Sequence, residues 1–547
     1  MKQKRSVRNP YVAALIILVI AAWFRFTGIN WDQNAHLHPD ERFLTMVTTN
    51  IDWPKTIAEY FDTRASALNP HNKGFSFYVY GTYPVYVTKL MAQLIRMDTY
   101  NGITIVGRIM SGIVDLLTML FVFLITSALI SQSKFSRSHQ IPNPKSQLGQ
   151  LEIRALRSSP YLAMFLYGVM VLPIQLSHFF TVDPYATLFL TISLYLMIKR
   201  RIGWQLGIAV GLAVSAKISS LIIVPLVIWV ARKNLRSLLP LLFSLLLTVR
   251  IAYPYLFDGW WLNQLVLDNW KQLRSFDGPT TTFPPGLQWI NVPFWQPTWD
   301  MIVWGLGVPL GVLAVLSIFR AHPPAGGLLL SWVLLILGYQ SFQFAKPMRY
   351  LYPIYPALAV FTAMFINKFR LYWVVPFVLI WPIAFISIYT RPHTRVAAST
   401  WIYANIPPGS TIAWEHLDDP LPVALGERNA TQYRLIQLPI FDPETPEKWQ
   451  KIQDVLAIAD YLVLSSNRGY GSITHAKGRY PQTNAYYQNL FSGRLGFSNS
   501  IQFTSRPMLW GIEIIDDRAD ESFTVYDHPA VMIFQRTSQG APTIPVR

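Results

Sequence analysis

Asp40 and Glu41 follow His38-Pro39 directly after the first long apolar stretch. A carboxylate in that place can take a proton from an acceptor hydroxyl or amine, or help to hold a divalent ion. The bland alternative is that both are the capping and first-turn acids of a surface helix opened by Pro39. A third acid, Asp183, ends an apolar run in the string His178-Phe-Phe-Thr181-Val-Asp183-Pro184. Ionisable groups at membrane depth are costly and point to function, set here against a helix cap before Pro184. His178 is the lesser candidate, because a lone histidine is more often a hydrogen-bonded core residue. Asp40, Glu41 and Asp183 together could hold a metal ion, although no clear third-ligand pattern accompanies them. The cationic candidates are Arg108, Lys217, Lys346 and Arg349, with Tyr350 beside the last. Arg and Lys pair well with phosphate oxygens, and a lipid phosphate is the natural ligand at that depth. Their bland alternative is snorkelling toward the interface.

These groups need positioning elements, and composition says what kind. The 547 residues are 52% hydrophobic and 14% charged, with 19 Trp and a mean hydropathy of +0.28, which describes a polytopic α-helical membrane protein. There is no Cys, so disulfides, thiolate metal sites and Cys nucleophiles are excluded. The net charge of +17 sits in residues 1–390, where short basic loops set topology, while 391–547 are nearly neutral. Nucleic-acid binding therefore has no support. No dinucleotide fingerprint, Walker loop, His-Glu-x-x-His motif or Ser-nucleophile elbow occurs.

Lys2, Lys4, Arg5 and Arg8 precede a first helix from Tyr11 to about Phe26, expected to be uncleaved with a cytoplasmic N-terminus. Residues 30–103 then form the first outer loop. Its stretch 75–97 is apolar but carries Gly81, Pro84 and Lys89, and it is read as an amphipathic element along the membrane surface. That choice keeps the basic loop 131–159 inside, as the positive-inside rule prefers. Further spans are expected at about 104–130, 160–181, 185–199, two short helices in 202–232 meeting near Lys217, 237–256, 300–319, 326–344, 350–367 and 371–390. The total is about 11 transmembrane helices plus juxtamembrane helices. The Trp-rich loop 257–299 reads as an interfacial aromatic belt, or more sharply as a sugar-stacking lid. From Arg391 the pattern changes to that of an extracytoplasmic α/β domain, 391–547, large enough for its own core. Helices are expected at Val396–Ala404 and Glu447–Ala457, and strands at Thr411–Trp414, Tyr461–Ser465 and Val531–Gln535.

Five features occur in order: the acidic pair, Arg-x-x-Ser at Arg108–Ser111, Thr-x-Asp-Pro at Thr181–Pro184, Gly-x-Ala-x-x-x-Lys at Gly211–Lys217, and Lys-x-x-Arg-Tyr-x-x-Pro at Lys346–Pro353. Together they resemble the GT-C membrane glycosyltransferases, specifically the family 39 branch of protein O-mannosyltransferases and aminoarabinose transferases. The tail, Arg395 to Gly409 followed by Glu415-His-Leu-Asp-Asp, is similar to the outer domain of bacterial members. The resemblance implies a hexosyl or pentosyl transferase in the plasma (bacterial inner) membrane. Its donor would be a polyprenyl-phosphate sugar and its acceptor a glycan, lipid or protein at the outer face. It further implies Asp40 as base, Glu41 as its partner and Asp183 as the second acid of the cavity. Arg108, Lys346 and Arg349 would hold the departing lipid phosphate, while Lys217 stays either a second phosphate contact or a snorkelling residue. Two alternatives stay open: a lipid or saccharide transporter, and a non-catalytic cell-envelope assembly protein.

Overall fold

The computed structural model describes residues 10–136, 147–232, 235–281, 283–320 and 326–537. The N-terminal basic residues Lys2, Lys4, Arg5 and Arg8 lie outside the described residues, as do Arg137 and Lys145 of the basic loop and Lys233. Among the described residues four helices are long and apolar enough to cross a membrane: Tyr100–Gln132, Leu235–Ala252, Met348–Phe369 and Tyr372–Asn405. A fifth crossing is available if Ser158–Gly168 and Val171–Ser177, bent by 57°, act as one broken span. Six further apolar helices have 10–17 residues, shorter than the roughly 20 that cross a bilayer core untilted. By length and composition the structure therefore offers four or five spans where about 11 were expected, and the remaining segments are these shorter helices.

Several expected boundaries shift for physical reasons. The segment 160–181 is not one helix, because the chain breaks between Gly168 and Val171. The segment 300–319 divides at Gly307, whose φ of 79° ends a π-helical turn before the helix Val308–Arg320. The two helices expected in 202–232 are present. Trp204–Ala216 ends at Lys217, which is extended, and the chain then resumes helically at Ile218. In the stretch 75–97 only Tyr83–Leu94 is helical, 12 residues long. It spans about 18 Å at 1.5 Å per residue and is not among the apolar helices.

A buried polar cluster ties the helices together. Arg25 Nε donates to Asp115 at 2.6 Å and Arg25 Nη1 to the Gly168 carbonyl at 2.8 Å. The hydroxyls of Tyr167 and Tyr352 both donate to Asp115. Four chain segments thus share one carboxylate in the apolar interior, where an unshared charge would be prohibitively costly.

The C-terminal region holds a five-stranded mixed sheet. Its strands are β1 (Thr411–Glu415), β2 (Arg434–Leu438), β3 (Tyr461–Leu464), β4 (Phe497–Phe503) and β5 (Val531–Arg536), in the order β2-β1-β3-β5-β4. β1 runs parallel to β2 and β3, while β5 is antiparallel to β3 and β4. Side chains alternate across the sheet. Ile412, Tyr461, Val463 and Ile533 pack with Ala398, Ile402 and Ile406 beside the helix Thr394–Asn405. Ala413, Leu462, Leu464 and Phe534 pack the other way, against Trp449, Ile452 and Leu456 of Pro446–Ile458 and Tyr486 and Leu490 of Pro481–Phe491. The expected elements Val396–Ala404, Thr411–Trp414, Glu447–Ala457, Tyr461–Ser465 and Val531–Gln535 are all found, within two residues at each end. β2 and β4 were not expected.

The loop 257–299 is held against the C-terminal region. Leu287 joins the sheet's core, Arg479 Nη1 donates to the Thr281 carbonyl at 2.6 Å, and Gln288 Nε2 to Glu521 at 2.8 Å.

Candidate active site

The helix Pro39–Asn50 begins at the acidic pair. His38 caps it, its Nδ1 accepting from the Glu41 N–H at 3.3 Å. Burial lowers the His38 pKa to about 4, so the ring is neutral near pH 7 and free to accept. The imidazole lies against Phe179 and Tyr526, with ring centres 4.5 and 4.0 Å away. Successive residues of a helix point about 100° apart, and here that rotation separates Asp40 from Glu41.

Asp40 points to a partly open mouth. Arg349 Nη1 donates to it at 2.7 Å, and the two side chains retain 25% and 22% of their surface. Burial works against the Asp40 carboxylate, but Arg349, His38 and the Tyr80 hydroxyl outweigh it and hold its pKa at about 2. Lys217 Nζ donates to Asp183 at 2.7 Å, these side chains being 28% and 13% exposed. The Tyr350 ring joins the two pairs, with Lys217 Nζ 4.9 Å and the Arg349 guanidinium 5.8 Å from its centre. Two carboxylates and two cations therefore surround one tyrosine. The Arg349 Nε is buried without a hydrogen-bond partner, a donor still open for an anion.

Local sequence explains how these residues meet. Lys217 occupies the break after the helix Trp204–Ala216. Gly81 of the first loop docks against that helix end, its N–H donating to the Ala216 carbonyl at 3.2 Å. A Cβ at Gly81 would lie 2.0 Å from the Ser215 carbonyl oxygen, so this close approach requires glycine. It also fixes Tyr80 beside Asp40. Asp183 opens the helix Asp183–Ile198 ahead of Pro184, and Arg349 and Tyr350 lie in the 3₁₀ turn Met348–Ile354.

Glu41 and Arg108 do not join this mouth. Both side chains are fully buried. Arg108 donates to Glu41 at 2.5 and 3.0 Å, to Asp32 at 2.9 and 3.0 Å, and to the Ile29 carbonyl at 2.9 Å. Glu41 also accepts from the Phe180 N–H at 2.7 Å, and Trp31 covers the guanidinium at 4.7 Å. Arg108, expected at a phosphate, and Glu41, expected to orient an acceptor, are both placed in this sealed cluster. All the donors of Arg108 are spent, and neither side chain reaches the mouth. For the metal ion that Asp40, Glu41 and Asp183 could hold, the described residues show no gathered ligand set. Among the described residues no three His, Asp or Glu side chains gather in a metal-holding group, because Glu41 is withdrawn with Arg108 while Asp40 and Asp183 each face a cation. Lys346 is buried at 8% exposure; burial lowers its pKa against the pull of Asp277. His178 is a core residue stacked on Tyr389 at 3.8 Å, its ring nitrogens at the Ile174 and Thr27 carbonyls.

Asp32, Tyr80 and Tyr526 were missed in the sequence reading. Beside the mouth lies a cleft of about 280 Å³ between the first loop and the C-terminal region, lined among others by Pro39, Arg42, Trp414, His416 and Tyr526. The Arg42–Asp419 pair bridges it at 2.7 Å.

A charged mouth in a helical bundle of apolar segments, covered by an α/β region, is the class of architecture shown. No family model and no curated protein matches the chain. Solved structures resemble it at low identity. An oligosaccharyltransferase from Archaeoglobus fulgidus with a tethered acceptor peptide matches at 14% identity and a TM-score of 0.45, covering 92% of this chain and 74% of that one. ArnT from Cupriavidus metallidurans bound to undecaprenyl phosphate matches at 12% and 0.44, covering 98% and 100%. The arabinofuranosyltransferase AftD from Mycobacteria matches at 12% and 0.38, covering 97% and 40%.

Proposed function

We propose that the chain is an integral-membrane glycosyltransferase of the GT-C kind. It would move a sugar from a polyprenyl-phosphate carrier to an acceptor at the outer face of the membrane, with the N-terminus inside and 391–547 outside. The observation that carries this reading is the four-charge mouth of Asp40, Arg349, Asp183 and Lys217 around Tyr350, with the unused Nε of Arg349. Anionic lipid phosphate can be held by the cations, and an acceptor proton can be taken by a carboxylate.

The chemistry is a single displacement. The acceptor oxygen attacks the anomeric carbon while the bond from that carbon to the phosphate oxygen breaks. The bonding pair leaves with the phosphate, the acceptor proton passes to Asp40, and the configuration inverts. Arg349 and Lys217 face the charge that grows on the departing phosphate. With a pKa near 2, Asp40 paired to Arg349 is a poor base. A phosphate that draws Arg349 toward itself removes the contact that most favours the Asp40 anion, and its proton affinity rises toward the ordinary carboxylate range. Donor binding and base activation are then one event. Asp183 keeps Lys217 in place until the phosphate competes for it.

The test is transfer of labelled sugar from a panel of polyprenyl-phosphate sugars by purified wild-type chain and Asp40→Asn in liposomes. Transfer by the wild type alone supports the reading. No transfer by either across the panel sinks it, and equal transfer by both removes Asp40 as base.

A further inference from the structure

Two small two-stranded hairpins carry the most exposed tryptophans of the described chain. Phe257–Asp258 pairs with Trp261–Leu262, and Met508–Leu509 with Ile512–Glu513. Trp260 and Trp261 at the first tip are 97% and 81% exposed; Trp510 at the second is 91% exposed, with Ile512 at 71% and Ile515 at 65%. The first hairpin directly follows the apolar helix Leu235–Ala252. The second belongs to the C-terminal α/β region, where exposed apolar groups serve no packing purpose.

The second hairpin is rooted at a defined level. The Met508 N–H donates to Ser387 Oγ at 2.9 Å, and Arg391 donates to the Arg506 carbonyl. Leu509 and Ile514 pack on the core of the helical bundle. In sequence this is where the apolar run 374–389 gives way to Thr390-Arg391. The helix entering that point shows an apolar exposed stripe of Phe377, Ile380 and Ile383. The turn is unusual as well. Trp510 and Gly511 have φ of 51° and 83°, a two-residue turn that ordinarily takes Asn-Gly. A bulky residue is disfavoured at the first of these positions, so the turn itself does not account for Trp510. Behind the tip, Arg506 pairs with Asp517 at 2.7 Å and with Glu513 at 3.5 Å, a charged collar behind an apolar point.

We propose that this hairpin is a membrane foot of the C-terminal region. Trp510, Ile512 and Ile515 enter the headgroup–acyl boundary of the leaflet at which the run 374–389 ends, while the Arg506 collar stays in the headgroup layer. Tryptophan favours that boundary because its ring is apolar and its N–H is polar. The foot would press the region bearing Tyr526, and with it the cover of the Asp40 mouth, onto the bilayer. The proposal rests on the membrane reading of the helices and not on the glycosyl-transfer reading.

The chain has no Cys, so single-cysteine labelling needs no background removal. Ile512→Cys and Ile515→Cys, each with Trp510 intact, are labelled with an environment-sensitive fluorophore in phosphatidylethanolamine/phosphatidylglycerol liposomes. Phe377→Cys is the lipid-facing reference. The foot predicts blue-shifted emission at 512 and 515, quenching by doxyl-lipids that places the label about 5–10 Å into the boundary, and weak quenching by aqueous iodide. Strong iodide quenching at 512 and 515 without doxyl-lipid quenching overturns the foot if position 377 is lipid-quenched. Loss of lipid quenching at 377 as well overturns the membrane reading beneath it, and the foot with it.

Discussion

Arg108 and Arg349 each face a carboxylate contributed by the start of one short helix, yet they occupy opposite environments. Arg108 is sealed with Asp32 and Glu41 at zero exposure, and every donor group is engaged. Arg349 meets Asp40 with about a quarter of each side chain open and one buried donor unused. A pair can exchange partners only where an incoming anion can reach it and where a donor is free. The sealed triad is therefore a clamp that joins the first loop to the helix Tyr100–Ser136, and the open pair is the one to which the proposed chemistry is assigned. Asp40 and Glu41 are adjacent in sequence, and the rotation between them along a helix assigns each to a different system.

The largest effects should separate the two systems by what they damage. Asp40→Asn keeps the shape and a hydrogen-bond acceptor but removes the proposed base. It should lower transfer about 10²–10⁴-fold while leaving thermal unfolding in detergent nearly unchanged; an equally large loss of folding would make Asp40 structural. Arg108→Met should do the reverse. Removing one partner of a buried ion cluster leaves Asp32 and Glu41 uncompensated, at a cost of roughly 3–5 kcal/mol. A depressed melting temperature and poor recovery of folded protein are expected, and a stable Arg108→Met chain that had merely lost donor binding would return Arg108 to the phosphate site. Next in size, Arg349→Gln should weaken binding of a lipid-phosphate donor about tenfold to a hundredfold, from the loss of a charge-assisted contact worth about 1.5–3 kcal/mol. Donor titration measures this directly, and an unchanged affinity would break the comparison.

How much of this was legible in the chain follows from the same contrast. Asp183, Lys217 and Arg349 stood out because an ionisable residue at the end of an apolar run has few bland explanations. The partners inside the protein did not stand out. Asp32 lies in an irregular turn beside Gln33, Asn34 and His36, all with positive φ, and such a turn has no periodicity from which to infer what its side chains reach. Tyr80 meets Asp40 only because Gly81 docks 135 residues away in sequence, on Ala216. In the C-terminal region the central strands β1 and β3 are buried on both faces and carry the apolar runs Ile412–Trp414 and Tyr461–Leu464. β2 and β4 are the two edges of the sheet, largely open to solvent, so their polar sequences conceal them. The breaks at Gly168–Val171 and Gly307 lie within apolar stretches that hydropathy alone joins into single spans.

A further contrast concerns His528 and His38, two buried histidines in different protonation states. Burial keeps His38 neutral, with a pKa near 4. His528 lies between Asp527 at 2.5 Å and Asp516 at 2.9 Å; burial disfavours its charge, but the two carboxylates outweigh it and raise its pKa to about 10. Asp527 in turn accepts from Tyr389 and Gln175 of the helical bundle at 2.7 and 3.0 Å. A folded-state pKa above the unfolded value of about 6.5 gives a stabilisation fully present below that value and lost as pH rises through about 10. The wild-type melting temperature should therefore fall between pH 7 and 10. His528→Gln should lower stability by about 1–3 kcal/mol near neutral pH and flatten that part of the profile. A pH profile identical to that of the wild type would remove His528 as the charged link.

Lys346 supplies the smallest expected effect and the sharpest check on the open pair. It sits three residues before Arg349 and was placed with it on the same ligand by sequence. In the structure the two diverge: Arg349 reaches Asp40, while Lys346 is buried within the field of Asp277, whose carboxylate accepts from the Ala345 N–H at 2.8 Å. If only cations at the Tyr350 mouth hold the donor phosphate, Lys346→Gln should change donor affinity by less than about twofold, within the roughly 0.5 kcal/mol expected of a change away from the binding contact. Lys217→Gln, at the mouth, should exceed it. The discriminating measurement is donor affinity as a function of ionic strength for the three single variants. Arg349→Gln and Lys217→Gln should flatten the salt dependence, because each deletes a cation that meets the anionic ligand, whereas Lys346→Gln should leave the slope of the wild type. A flattened slope for Lys346→Gln would mean that Lys346 also meets the bound donor, and the mouth would then comprise three cations rather than two.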